Sequence, residues 1–164
     1  MKGRVYVFID AANIFYSQKT LKWQISYERL KSYFEKECSV GKIFVYTATD
    51  VNRPSQEKFL SMLRRSGYIL RTKPVKRIRL EPGVYQWKGN LDIELTMDIV
   101  DHLADFETMI LLSGDGDFAP IVDRVKSKKK HVIVMSTKDH VARELLERAK
   151  FINLKKLRGD IELI

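Results

Sequence analysis

The sequence has a single cysteine, Cys38, so it can build neither a disulfide framework nor a multi-cysteine zinc site. One lone thiol suits a reducing compartment. Long apolar runs are missing too. The stretch near the amino terminus, Val5 to Ile9, is far short of the ~20 residues of a membrane span and too short for a secretory core. The expectation is a chain that neither crosses a membrane nor is exported. Proline and glycine are sparse, 4 and 8 residues, and fall singly at turns; with no repeat, low-complexity tract or linker, one domain is expected over 1–164. The three histidines, His102, His131 and His140, are scattered without metal-ligand spacing.

Acid is outnumbered by base. Against 21 acidic residues stand 30 basic ones, for a net charge of +9 and a pI near 9.6. The excess favours a polyanionic partner, nucleic acid before an anionic membrane surface. It is concentrated between Arg71 and Asn90, where Arg71, Lys73, Lys76, Arg77, Arg79 and Lys88 face only Glu81, a local +5. Many basic proteins carry solvated lysine faces, so charge alone leaves the partner open. The run Lys126, Lys128, Lys129, Lys130 follows a helix and reads as such a face, complementing the helix dipole.

With 45% hydrophobic residues, 164 residues can bury roughly 70% of the surface their unfolded form exposes, so no staple is needed. Short apolar runs alternate with helical patterns. Strands are expected at Arg4–Ile9, Lys42–Ala48, Tyr68–Thr72, Thr108–Leu112, His131–Met135 and Phe151–Leu154. Helices are expected from about Ile14, from an N-cap at Ser26 with Leu30 and Phe34 inward, and from Pro54 with Phe59, Met62 and Leu63 inward as far as Gly67. Further helices are expected over Asp92–Ala104, from Asp117 to Lys126 and over Asp139–Arg148. In the helix after Asp92, the stripe Ile93, Met97, Val100 and Ala104 is expected to face the core. Pro74–Lys88 breaks the pattern: Glu81-Pro82-Gly83 has type II turn chemistry, so a hairpin excursion is expected. The fold class is α/β with a mainly parallel central sheet covered on both faces.

Acidic residues gather where such sheets bind ligands, at the carboxyl ends of strands. Asp10 follows the first strand, and Asp115 and Asp117 follow the strand ending at Leu112. If those strands are neighbours, three carboxylates converge, and Asp92 at a helix start can supply a fourth. Grouped carboxylates repel unless a cation neutralises them. An oxygen-only set suits Mg²⁺ or Mn²⁺ rather than zinc. Asn13 and Ser113 can orient a ligand or water. Each aspartate alone is more often a helix cap or turn residue; the combination in a basic domain favours a metal site. Asp98, six positions after Asp92, is rotated by roughly 240° and carried ~9 Å along a straight helix, so the two cannot share a face. Either Asp92 precedes the helix proper or Asp98 does another job, such as pairing with a basic side chain.

The basic stretch has its own chemistry. Lys73, Lys76, Arg77, Arg79 and Lys88, interleaved with Tyr85 and Trp87, suit an arm that contacts phosphates and stacks on unpaired bases. The alternative is an ordinary exposed hairpin whose Trp87 packs back on the domain.

Phe8-Ile-Asp10-Ala-Ala-Asn13-Ile14, Lys88-Gly-Asn-Leu-Asp92 with Asp98, and Ser113-Gly-Asp-Gly-Asp-Phe118-Ala-Pro120 together resemble the three signature segments of NYN domains. These form the LabA-like branch of the PIN-like nucleases. The resemblance spans nearly the whole chain in the right order. It implies a PIN-like Rossmannoid three-layer sandwich and a Mg²⁺- or Mn²⁺-dependent ribonuclease-type site. By position, Asp10, Asp92, Asp115 and Asp117 would be the metal carboxylates, with Asn13 and Ser113 in support and Asp98 at a matching acidic position. One departure is Arg148-Ala149-Lys150-Phe151-Ile152, where similar sequences often carry an Ala-Asp pair. A cytoplasmic setting follows from the resemblance alone. Homodimers are frequent among PIN-like domains, though no residue here identifies an interface.

The leading expectation is a metal-dependent endoribonuclease acting on single-stranded or structured RNA. The alternative is a nucleic-acid-binding regulator that keeps the pocket but turns over little. An aspartyl phosphatase would need an acid at position 12, which is Ala12; a phosphoryl receiver leaves the Ser113–Asp117 segment without a role.

Overall fold

The computed structural model describes all 164 residues. In chain order they form β1 (Arg4–Asp10), α1 (Ala11–Leu21), α2 (Tyr27–Glu37), β2 (Ser39–Thr49), α3 (Pro54–Arg65), β3 (Ile69–Pro74), β4 (Lys76–Glu81) and β5 (Val84–Lys88). There follow α4 (Asp92–Asp101), β6 (Thr108–Leu112), α5 (Ala119–Ser127), β7 (His131–Ser136), α6 (Arg143–Leu146), β8 (Lys150–Asn153) and α7 (Arg158–Ile161). Six strands make one sheet in the order β3-β2-β1-β6-β7-β8. Every pairing in it is parallel.

Parallel strands require crossovers, and the crossovers cover both faces. Alternate residues of β1 accordingly enter two cores. Val5, Val7 and Ile9 pack with Ile14, Trp23, Leu30, Phe34 and Leu63 from α1 to α3. Tyr6 and Phe8 pack with Leu95, Ile99, Phe106, Val122 and Leu145 on the side of α4 to α6. The expected three-layer α/β architecture is thus observed, and no helix is long and apolar enough to cross a membrane.

Several local expectations hold for physical reasons on view. Ser26 caps α2 by accepting from the Arg29 amide at 3.2 Å, and Pro54 opens α3. β4 and β5 form the antiparallel hairpin. Gly83 at its tip has φ +81°, the conformation a type II turn demands at its third residue.

Two expectations are corrected and one alternative reading is set aside. In α4 the inward residues are Leu95 and Ile99, with Leu91 just before, whereas Ile93, Met97 and Val100 are 71%, 59% and 45% exposed. The helix carries two apolar stripes, and periodicity cannot say which one meets the sheet. The expected helix over Asp139–Arg148 shrinks to the single turn of α6, because 137–142 is held as a loop. There Thr20 Oγ1 lies 2.6 Å from His140 Nε2, and the Ala142 amide donates to the Gly114 carbonyl at 2.8 Å. Trp87 does not pack back on the domain; it is 61% exposed.

Candidate active site

Reversal of strand order happens once in this sheet, between β1 and β6, and there the crossovers leave in opposite directions. A crevice opens at the carboxyl ends of strands at such a point. Asp10 ends β1; Ser113 and Asp115 follow β6 directly. The sequence expectation that these strands are neighbours is met.

Asp10 has two duties on two oxygens. Its Oδ1 caps α1, accepting from the Ala12 and Asn13 amides at 3.1 and 3.3 Å. Its Oδ2 accepts from the Ser113 hydroxyl at 3.1 Å. Ser113, fully buried, in turn accepts from the Asp115 amide at 3.2 Å, and Asp115 Oδ1 accepts from the Asp117 amide at 2.9 Å. One chain of hydrogen bonds therefore runs from the end of β1 through the whole acidic loop. Capping and site-building are not alternatives here, since the caps orient the carboxylates. Asn13 Oδ1 accepts from the Ser136 hydroxyl at 3.1 Å, which ties the end of β7 to the same rim.

Asp92 enters from the other side as the first residue of α4. Asn90 holds it twice, its amide donating to Asp92 Oδ2 at 2.7 Å and its Oδ1 accepting from the Asp92 backbone at 3.2 Å. Burial, then the charges of Asp10 and Asp115, push the Asp92 carboxyl up to about 6. Burial also raises Asp10; its hydrogen bonds from Asn13, Ser113 and Ala12 oppose this, and the charge of Asp115 reinforces it. Asp92 thus feels the charges of Asp10, Asp115 and Asp117 across the crevice.

Asp98 stands apart from them. It accepts from the Tyr46 hydroxyl at 2.8 Å and from Arg71 at 2.8 and 3.3 Å, the alternative employment that the helical wheel allowed for. One turn earlier, Glu94 accepts from Lys73 at 2.8 Å, and that bond holds its carboxyl below the usual glutamate range. Arg71 and Lys73, alternate residues of β3, are thereby neutralised by successive turns of α4. Lys76, Arg77, Arg79 and Lys88 of the hairpin make no ion pair. Lys126 and Lys130 donate to the backbone carbonyls of Arg148 and Phe106, at the amino-terminal ends of the strands and away from the carboxylate rim.

The donor set fits a hard divalent cation: four carboxylates with amide and hydroxyl oxygens, and no thiolate or imidazole among them. As the side chains stand, no three acidic, imidazole or thiol groups lie at ligating separation. Joint ligation therefore needs side-chain movement, for which the exposed Asp115 and Asp117 have room. Sequence reasoning did not single out Tyr46, Asn90 or Ser136. Tyr46 and Ser136 lie near or at strand ends and Asn90 adjoins Asp92, so a search of every carboxyl-terminal rim position would have found them.

A parallel sheet in this order, with acidic residues at its switch point, defines a PIN-like α/β domain. The NYN domain family model matches residues 4–155, and the chain belongs to that family. It is 32% identical over 164 residues to the Low amplitude and bright protein LabA of Synechococcus elongatus, covering 98% of this chain and 88% of that protein. A crystal structure of a protein of unknown function from Vibrio parahaemolyticus superposes with a TM-score of 0.83 at 25% identity, covering 99% of this chain and 97% of that one. Family membership points to a nuclease-type function.

Proposed function

We propose that the protein is a metal-dependent nuclease that hydrolyses phosphodiester bonds of RNA. The observation that carries this reading is the convergence of Asp10, Asp92, Asp115 and Asp117 at the switch point, with Asp10 and Asp92 both raised by burial and by neighbouring carboxylates. Such a site is destabilised when fully ionised and empty, and it gains most from a bound Mg²⁺ or Mn²⁺. The ion would be held by those four carboxylates and would supply positive charge against the phosphodiester oxygens.

The chain's own residues prepare the rest. Ser113 fixes one Asp10 oxygen, and Asn90 fixes Asp92, so neither carboxylate needs to be ordered at the moment of reaction. Asn13 stands at the same rim, its oxygen taken by Ser136 and its amide nitrogen without a protein partner. In the hydrolysis, a water oxygen bonds to phosphorus, one bridging P–O bond breaks, and the departing oxygen gains a proton.

The test is cleavage of labelled single-stranded RNA and DNA with Mn²⁺, Mg²⁺ or EDTA, wild type beside Asp10→Asn/Asp115→Asn. Metal-dependent cutting lost in the double variant is expected. Binding without cutting, unaltered by the variant, would sink the nuclease reading in favour of a nucleic-acid-binding regulator.

A further inference from the structure

We propose that one face of the β4–β5 hairpin is a stacking platform for single-stranded nucleic acid, and that it feeds the strand to the carboxylate rim. Only the destination rests on the nuclease reading. The platform stands or falls by binding.

The register sorts the hairpin's side chains. Arg77 is paired with Trp87 and Arg79 with Tyr85, so directly opposed residues place these four on one face. The diagonal contact agrees, since the Arg77 guanidinium lies 4.3 Å from the Tyr85 ring centroid. An arginine stacked in this way is pre-ordered, and its in-plane N–H groups can still meet a phosphate. Tyr85 and Trp87 are 46% and 61% exposed, and Trp87 lies open to solvent. Lys76 and Lys88 are paired with each other on the opposite face, like charges directly opposed and without an acid partner.

Every residue of both strands is exposed, so the hairpin contributes nothing to either core. A two-stranded ribbon with large bare rings and unpaired cations is a liability in the free protein. The same pattern is what a strand of unpaired bases requires: rings for the bases and cations for the phosphates. Base pairs stacked inside a duplex offer no free ring face, so the platform selects single strands.

Its base is clamped to the sheet. The Val75 amide donates to the Thr49 carbonyl at 2.8 Å, and a Cβ on Gly89 would lie 2.8 Å from the Ala48 side chain. Only Gly89, Asn90 and Leu91 separate β5 from Asp92. The chain from Trp87 to Asp92 can span no more than roughly 18 Å, a few nucleotides.

The experiment titrates intrinsic tryptophan fluorescence with a 12-nucleotide oligouridylate, its DNA counterpart and a 12-base-pair RNA duplex. It is run on Asp10→Asn protein in EDTA, so that nothing is cut. Trp23 is buried and Trp87 exposed, so quenching reports on Trp87. Either single strand should quench and bind more tightly than the duplex. Trp87→Ala and Trp87→Phe lack the reporting ring and are followed by the anisotropy of a labelled oligouridylate: Trp87→Ala should weaken binding roughly 5- to 150-fold, the loss of one stacked base, while Trp87→Phe keeps most of the affinity. Arg77→Ala/Arg79→Ala should lower the log–log salt slope by about 1.4, two phosphate contacts. Lys128→Ala/Lys129→Ala, in the turn before the amino-terminal end of β7, should match the parent. Undiminished binding by Trp87→Ala, or equal affinity for the duplex, would overturn the proposal. Quenching by a protein that hydrolyses nothing with metal would instead defeat the nuclease reading and leave the platform intact.

Discussion

Tyr46 donates its hydroxyl to Asp98 Oδ2 at 2.8 Å, and Tyr46 is also the register partner of Asp10 on one side and Arg71 on the other. Asp10, Tyr46 and Arg71 thus form a row across three strands, with Asp98 of α4 locked onto its outer half. Burial and the Asp98 bond hold the Tyr46 hydroxyl far above the usual tyrosine range, so it remains a donor. Asp98 is therefore expected to matter for stability and Asp10 for chemistry. Asp98→Ala strands the hydroxyl of the buried Tyr46 and a guanidinium and should cost about 1–3 kcal/mol in thermal or denaturant unfolding. Asp10→Asn keeps a capping side chain and should keep the fold while losing cleavage. Equal melting temperatures for Asp98→Ala and wild type would refute this division of labour.

The upward shift of Asp92 to about 6 predicts a pH signature in metal-free protein. A carboxyl whose folded value lies above its unfolded one favours folding below the unfolded value, near 3.8, and loses that contribution as pH rises through 6. At pH 7.5 in EDTA the native state bears the cost of an ionised, crowded Asp92. Asp92→Asn should relieve it by about 1 kcal/mol, discounted for partial exposure, or roughly 2–4 °C in melting temperature. The gain should vanish at pH 4. Saturating Mn²⁺ should stabilise wild type more than Asp92→Asn. A variant less stable than wild type at pH 7.5 in EDTA would contradict the crowding on which the site rests.

Much of this arrangement is legible in the amino-acid sequence. The buried runs Val5–Ile9 and Thr108–Leu112 each give way abruptly to Asp or Ser, and in a parallel sheet that is where ligands collect. Asp98 lies on another side of α4 from Asp92, as the six-residue spacing dictates, and there it meets Arg71. What stayed hidden were choices made by distant partners. Residues 139–148 have helical periodicity, yet contacts of His140 and Ala142 with Thr20 and Gly114 hold much of the segment as a loop. Lys73 and Arg79 look alike in sequence, but only Lys73 lies opposite Glu94.

Gly114 should be irreplaceable for reasons of space. A Cβ there would lie 1.8 Å from the His140 carbonyl oxygen, a backbone atom that cannot rotate away. Gly114→Ala must displace either the acidic loop or the 137–142 segment. It should cost about 3 kcal/mol or more by unfolding, and its cleavage rate should fall with the misplacement of Asp115. Wild-type stability together with wild-type cleavage would show that the two loops are not packed as described.

The two stripes of α4 give a sharp test of which face meets the sheet. Leu95 is 1% exposed among Phe8, Phe44 and Ile99, and Met97 is 59% exposed. Leu95→Ala should cost about 2–5 kcal/mol, the range for emptying a packed leucine site. Met97→Ser removes an apolar side chain from water and should stay within about 0.5 kcal/mol. Chemical denaturation of both variants reads the difference directly. The reverse ranking would mean that α4 is rotated about its axis. Asp98 would then be turned away from Arg71, and the separation of stabilising from reactive carboxylates would fail with it.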